Sequence, residues 1–134
     1  MAKEYIQPAE LFASQRLGYT QVVKASPGTQ VFIAGQVGFD EKFKVVGPGD
    51  LTMQTEQALR NLGHALSAAG AAPDDVTMLR IYIANYDPSL AAKVFPALAS
   101  FFGDNPPAQT LLGVQCLAAP EILIELEAVA VIDD

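Results

Sequence analysis

The chain is poor in the residue types that build metal sites and disulfides. Cysteine and histidine occur once each, at Cys116 and His64, and tryptophan is absent from the 134 residues. One cysteine cannot form a disulfide within its own chain, which fits a reducing compartment. Zinc and iron sites need clusters of His and Cys ligands, so we predict no metal site. Cys116 is interpreted as a small buried hydrophobic residue, and His64 as a solvated residue on a helix.

Basic residues and long apolar runs are also scarce. The chain has 8 Lys and Arg against 15 Asp and Glu, a net charge of -7, whereas nucleic-acid binding needs clustered cations. No stretch reaches the ~18 apolar residues that span a bilayer, and the first eight residues, MAKEYIQP, do not read as a signal peptide. No Gly-rich phosphate-binding loop is present. These observations predict a cytoplasmic protein with neither a nucleic-acid nor a membrane partner.

What is abundant is apolar sequence arranged in short periodic segments. A content of 51% hydrophobic residues over 134 residues suits one domain, 1–134, with residues 1–17 as an N-terminal extension whose order the sequence leaves open. Residues 19–25 and 30–37 are rich in β-formers and are separated by SPGT, residues 26–29. Because Pro and Gly favour the central positions of a turn, the two runs predict a β-hairpin.

The rest of the chain alternates between helical and strand periodicity. A helix is predicted from Asp50, a candidate N-cap, to Gly70, with an apolar stripe at Leu59, Leu62, Leu66 and Ala69. A strand over 77–83, a helix from Pro88 to Gly103, and strands over 109–117 and 122–131 follow. The order is ββαβαββ, an α+β fold in which two helices cover one face of a mixed sheet.

The predicted sheet carries apolar side chains on both faces. In the second strand Val31 and Ile33 alternate with Phe32, and in the strand over 109–117 Leu111 alternates with Leu112. Two helices bury only one face, so a monomer would leave a large apolar surface in water. We predict an oligomer that covers the other face.

Three charged residues are predicted on that second face. Glu125 and Glu127 lie two apart in a strand whose other face is apolar, and Arg80 alternates with Leu79 and Ile81. The two carboxylates either lie in solvent on a strand face or, if neighbours close that face, are paired or functional. Arg80 is either an ion-pair partner of a carboxylate or a binder of an anionic ligand group.

Four segments together match the pattern of a known family. FFGDNPPAQT at residues 101–110 and IELEAVAV at 124–131, with GYTQ at 18–21 and AGQ at 34–36, resemble the signature of the RidA/YjgF family of small imine deaminases. The resemblance spans nearly the whole chain. It implies a chorismate-mutase-like homotrimer with inward-facing sheets and clefts between subunits that bind a small-molecule ligand. It also implies hydrolysis of imines or enamines.

The resemblance bears on the roles of five residues. Glu125 matches the family's acid/base glutamate, while Tyr19 and Gly35 match cleft positions. Gln109 stands where members acting on amino-acid imines carry an arginine that binds the substrate carboxylate. Phe95 stands where asparagine is frequent. Independently of the resemblance, we hypothesise that Arg80 substitutes for the missing arginine and binds an anionic substrate group from another direction.

The candidate substrate-binding residues also have purely structural interpretations. Gln109 could cap its own turn with its amide, and Tyr19 could pack at a sheet edge. At position 34, Ala34 replaces the serine that is usual in the family, so the cleft has fewer polar groups than in amino-acid imine deaminases.

The function predicted is hydrolysis of a small imine or enamine, with a substrate range altered by Gln109 and no cofactor, since water already attacks a C=N bond. Two alternatives stay open. One is a trimer that binds a metabolite or a client protein without catalysis. The other is a tautomerase or cyclising enzyme in the same cleft.

Overall fold

The computed structural model describes residues 2–133, the side chains of Ala2 and Arg16 excepted. The elements in chain order are the strands and helices β1 (Ala2–Ile6), β2 (Val22–Ser26), β3 (Thr29–Val37), α1 (Leu51–Ala68), β4 (Val76–Ala84), α2 (Phe95–Phe102), β5 (Ala108–Val114) and β6 (Ile124–Ile132). The order predicted from the sequence is confirmed, with β1 added in the N-terminal extension. Met1 and Asp134 lie outside the described residues.

The strands form two sheets. The four-stranded sheet has the order β3-β6-β4-β5, with β4 and β5 parallel and the other pairs antiparallel, so the sheet is mixed as predicted. The hairpin prediction is wrong. β2 pairs with β1 in a separate two-stranded sheet, and β3 pairs with β6. The turn signal at residues 26–29 correctly marks a sharp connection, but hydrogen bonding to β1, far away in sequence, decides the pairing.

The residues predicted to cap the first helix do so in the structure. The Asp50 carboxylate accepts a hydrogen bond of 3.0 Å from the Met53 N–H, and Gly70 has a φ of 75° just beyond the end of α1. The second predicted helix is divided in the structure. Residues Pro88–Lys93 form a 3-10 helix, and α2 begins only at Phe95, with Pro96 in its first turn.

Both helices pack on one face of the four-stranded sheet. Alternate residues of β4 and β6 lie in this core with almost no exposure, namely Leu79, Ile81, Ile83, Ile124, Leu126, Ala128 and Ala130. The helices contribute three of the four residues of the stripe predicted for α1 and the buried residues of α2, namely Leu59, Leu62, Leu66, Leu98 and Phe102. The fourth residue of the predicted stripe, Ala69, is exposed, because α1 ends one residue earlier at Ala68. Removing this apolar surface from water provides most of the driving force for folding.

The opposite, helix-free face of the sheet carries large exposed apolar side chains. Phe32 of β3 is 73% exposed and Leu112 of β5 is 46% exposed in the protomer. This is the two-faced apolar pattern predicted from the sequence. The helices formed by residues 2–133 lack the combination of length and apolar composition that a bilayer-spanning helix requires.

Candidate functional site

Glu125 lies on the helix-free face near the start of β6, against the backbone of β3. A Cβ atom placed on Gly35 would lie 1.9 Å from Glu125 Oε2 and 2.6 Å from its carboxyl carbon. The register between β3 and β6 slips in the stretch from Ile33 to Gln36, which contains Gly35. The absence of a side chain at this irregularity therefore lets the Glu125 carboxylate occupy its position.

Tyr82 and Glu127 extend the polar group around Glu125. Tyr82 is directly opposite Glu125 in the β4–β6 pairing, and its hydroxyl donates a hydrogen bond to Glu127 Oε1. That hydrogen bond to a carboxylate is the main reason why the pKa of Tyr82 is raised above its ordinary value of 10.0. The phenol therefore keeps its proton at neutral pH. Sequence analysis did not single out Tyr82, although its strand periodicity placed it on the face of Glu125.

Arg80 faces the same side of the sheet as the two glutamates, as predicted. It is exposed and directly opposite Glu127 in the pairing of β4 with β6. Across residues 2–133, no carboxylate oxygen lies within the 4.0 Å of its guanidinium that defines an ion pair. The ion-pair interpretation therefore does not describe the single protomer, in which Glu127 is bound by Tyr82 instead.

Gln109 and Tyr19 belong to a different part of the protomer. Thr20 donates to the carbonyl of Pro107 through its N–H at 3.2 Å and to the carbonyl of Pro106 through its hydroxyl, which brings residues 19–20 beside the start of β5. In the parallel pairing, Gln109 is opposite Leu79, so it shares the helix-covered face rather than the face of Glu125. Both side chains are half-buried.

Phe95 lies on the helix side, at the start of α2. It is half-buried and lines a cavity of about 460 Å³ together with Gln15, Leu17, Gly18, Ala91, Ala92, Pro96, Leu98 and Ala99. Because Gly18 precedes Tyr19 in the chain, this cavity lies next to the segment whose Thr20 is bonded beside the start of β5, where Gln109 is located. The six predicted site residues form two groups, with Glu125, Gly35 and Arg80 on one face and Gln109, Tyr19 and Phe95 away from it. One protomer does not bring the groups together.

Two further cavities lie on α1 and were not foreseen from the sequence. One, of about 600 Å³, is at the edge of β3 and is lined in part by Gly35, Arg60 and His64. The other, of about 690 Å³, lies between the helices, with Arg60, His64 and Lys93 among its lining residues. His64 is exposed, as predicted. Cys116 is also exposed in the protomer, so its prediction as a buried residue is wrong, because β5 ends two residues earlier at Val114.

Metal ligands do not cluster in the described residues. Groups of three or more His, Cys, Asp or Glu side chains placed to hold an ion are not found between residues 2 and 133.

Comparison with known proteins gives one consistent family. Residues 13–132 match the family model described as Endoribonuclease L-PSP. A RutC family protein of Pyrococcus horikoshii is 38% identical over 112 residues, covering 84% of this chain and 85% of the relative.

Solved structures agree. YyfB of Yersinia pestis, described as a conserved Rid family protein of unknown function, is 39% identical, covers 98% of this chain and 100% of its own, and superimposes with a TM-score of 0.93. RidA of an Antarctic Psychrobacter is 28% identical over 86% of this chain and 89% of its own, with a TM-score of 0.71. The chain belongs to the Rid family, also called YjgF and represented by the L-PSP model.

Proposed function

We propose that the protein is a homotrimeric hydrolase of a small imine or enamine, with a complete site only where neighbouring protomers meet. The observation that carries the proposal is the Glu125 carboxylate held against Gly35 on a face whose exposed Phe32 and Leu112 favour association. Cyclic assembly places one surface of a protomer on a different surface of the next. It could thus join the Glu125 group to the Gln109 and Tyr19 group of a neighbour.

The proposed reaction needs one acid/base group and oriented reactants. Glu125 accepts a proton from water while the water oxygen attacks the carbon of the C=N bond and the electron pair moves to nitrogen. The protonated Glu125 then gives this proton to nitrogen. Glu125 next takes the proton of the new hydroxyl group and passes it to the amino nitrogen, so that the C–N bond breaks, ammonia leaves and a carbonyl product forms. Water and substrate supply every atom, so no cofactor is needed.

The substrate range is proposed to differ from that of relatives with arginine at position 109. The amide of Gln109 donates and accepts neutral hydrogen bonds but lacks the charge-assisted, bidentate contact that an arginine makes with a carboxylate. Tyr19 and Phe95 would pack around the apolar part of the substrate, and Arg80 would meet an anionic group from the helix-free side. The 8 basic residues, against 15 acidic ones, disfavour RNA as the substrate despite the name of the family model. We place the protein in the cytoplasm.

Ammonia release from freshly generated imines tests the proposal. An oxidase produces imines in situ from a panel of amino acids and amines, and the wild type is compared with Glu125→Gln and Gln109→Arg. Acceleration by the wild type that disappears in Glu125→Gln supports the hydrolase. If no imine reacts faster with wild type, and Gln109→Arg gains activity, the pocket is a non-catalytic binding site; a tautomerase or cyclase would instead consume imine without releasing ammonia.

A further inference from the structure

The cavity at the edge of β3 has features of a ligand site. It shares Gly35 with the proposed catalytic group, but its charged residues are different ones. Its walls are the irregular stretch of β3, the loop that follows it and one side of α1. The lining residues are Gly35, Gln36, Val37, Phe39, Asp40, Glu41, Gln57, Arg60, Asn61 and His64. Its volume of about 600 Å³ lies within the usual range for small-molecule sites.

Arg60 is held in this wall by a chain of hydrogen bonds that starts at the backbone. Asn61 Nδ2 donates to the carbonyls of Val37 and Phe39, both at 2.8 Å. Gln57 Nε2 donates to Asn61 Oδ1 at 2.9 Å, and Arg60 Nε donates to Gln57 Oε1 at 3.3 Å. Only Nε is used, so the four N–H groups on the two terminal nitrogens have no hydrogen-bond acceptor within residues 2–133 and remain available to a carboxylate.

Asp40 is ordered in a similar way on the loop. Its Oδ1 accepts hydrogen bonds from the Lys42 N–H at 2.9 Å and from the Lys44 N–H at 3.0 Å. The pKa of Asp40 is lowered from its ordinary value of 3.8, mainly by the bond from the Lys44 N–H. The bond from the Lys42 N–H and the two lysine charges add to this effect, so the carboxylate is ionised at neutral pH. Its Oδ2 has no hydrogen-bond donor in the part of the chain that the structure describes.

The two opposite charges are not paired with each other. Among the described side chains, no ion pair within 4.0 Å joins Arg60 to Asp40, Glu41 or Glu56. Two oriented charges of opposite sign in one cavity match a ligand with a carboxylate at one end and a protonated amine at the other. We propose that this cavity binds a zwitterionic amino acid, with its carboxylate on Arg60 and its ammonium group on Asp40.

The remaining charges in the wall agree with a ligand carrying both signs. Glu41 adds a second carboxylate beside Asp40, and His64 lies one turn beyond Arg60 on α1. A simple anion would face the two acidic groups, and a simple amine would face Arg60. The site depends on these residues and not on the proposed hydrolysis, so either inference can fail without the other.

Titrations followed by backbone amide NMR shifts test the site with three probes of equal chain length. They are 5-aminopentanoate, pentanoate and pentylamine. The zwitterion is expected to shift the amide resonances of residues 35–41 and 57–64. It should also bind about fivefold more tightly than either singly charged probe, because it makes one additional exposed charge-assisted contact. Equal affinity for all three probes, or shifts confined to other residues, would overturn the proposal.

Charge-removing variants locate the contacts. Arg60→Gln should reduce zwitterion affinity to about that of pentylamine, and Asp40→Asn to about that of pentanoate, since asparagine keeps the loop-ordering oxygen without the charge. Lys93→Gln is the matched control, because it removes a positive charge that lines only the neighbouring cavity. The affinity of this variant for the zwitterion should equal that of the wild type. Unchanged affinity in Arg60→Gln would overturn the assignment even if the zwitterion binds.

Discussion

The Glu125 carboxylate occupies the space where a side chain at position 35 would begin. Alanine at Gly35 would put its Cβ 1.9 Å from Glu125 Oε2, so the glutamate must move as a whole. We expect Gly35→Ala to lower the free energy of unfolding by about 1 kcal/mol in the wild-type background and by nearly nothing in a Glu125→Ala background. Urea unfolding of the four proteins measures this coupling. Equal costs in both backgrounds would contradict the contact.

Gly63 provides the matched control for this substitution. A Cβ there would have its nearest contact at 3.6 Å, from Phe101 Cε1, which is ordinary packing. Because Gly63 lies inside α1, Gly63→Ala should stabilise the protein by about 0.5–1 kcal/mol.

The hydrogen bond between Tyr82 and Glu127 predicts a specific pH dependence. The pKa of Tyr82 is raised in the folded protein, so its contribution to stability is complete below the unfolded pKa of 10.0 and is lost as pH rises through the folded pKa. Tyr82→Phe should therefore be less stable than wild type at pH 7, and the gap should close above pH 10. Urea unfolding from pH 7 to pH 11 measures it. Tyr5, whose pKa is also raised, is present in both proteins and cancels.

The sequence correctly predicts which face of the sheet a residue lies on, because side chains alternate between the two faces along a strand. The common face of Arg80, Glu125 and Glu127 follows from strand periodicity alone. The partner of each group does not, because Tyr82 reaches Glu127 only through a cross-strand pairing. Arg60 was missed for a similar reason, since its position depends on side chains that connect α1 to the end of β3.

At the scale of elements, the buried amide of Gln54 joins α1 to two loops. Its Nε2 donates to the carbonyls of Gly47 at 3.1 Å and Glu121 at 3.0 Å, and its Oε1 accepts from the Leu123 N–H at 2.9 Å. Gln54→Leu removes all three part-buried bonds and leaves an apolar side chain facing the Glu121 carbonyl and the Leu123 N–H, while the Gly47 carbonyl keeps its bond from the Asp50 N–H at 2.9 Å. We expect a loss of about 3 kcal/mol in unfolding free energy.

Chemical denaturation with an exposed glutamine as control checks this expectation. Gln115→Leu, at an exposed position, should change the unfolding free energy by less than about 0.5 kcal/mol. A Gln54→Leu protein as stable as this control would show that the three bonds contribute little.

Element types and caps were predictable, whereas strand pairing was not. The Asp50 cap and the stripe of α1 depend on neighbours within one or two turns. The choice between β1 and β3 as partner of β2 depends on where residues 2–6 lie in the folded chain. The turn residues at 26–29 carry no information on the position of residues 2–6.

At the scale of the whole molecule, the helix-free face should hold the protomers together. Phe32→Glu places a charge among side chains that association would bury, and we expect it to convert the oligomer into monomers, measured by size-exclusion chromatography with light scattering at micromolar concentration. Phe43→Glu is the control. Phe43 is 82% exposed but lies in the loop after β3, so its variant should keep the wild-type mass. A wild type that is itself monomeric would remove the prediction.

The sequence alone determined the layers of this protein: the order of strands and helices, the buried face of the sheet and the excess apolar surface on its other face. These properties depend on periodicities of two and 3.6 residues, which are local. Only the tertiary structure decided that β1 takes β2 as its partner, that Gln109 and Glu125 lie on opposite faces, and that Arg60 and Asp40 line one cavity. Register, cross-strand contacts and cavities arise from residues distant in sequence, and their positions depend on how the whole chain packs.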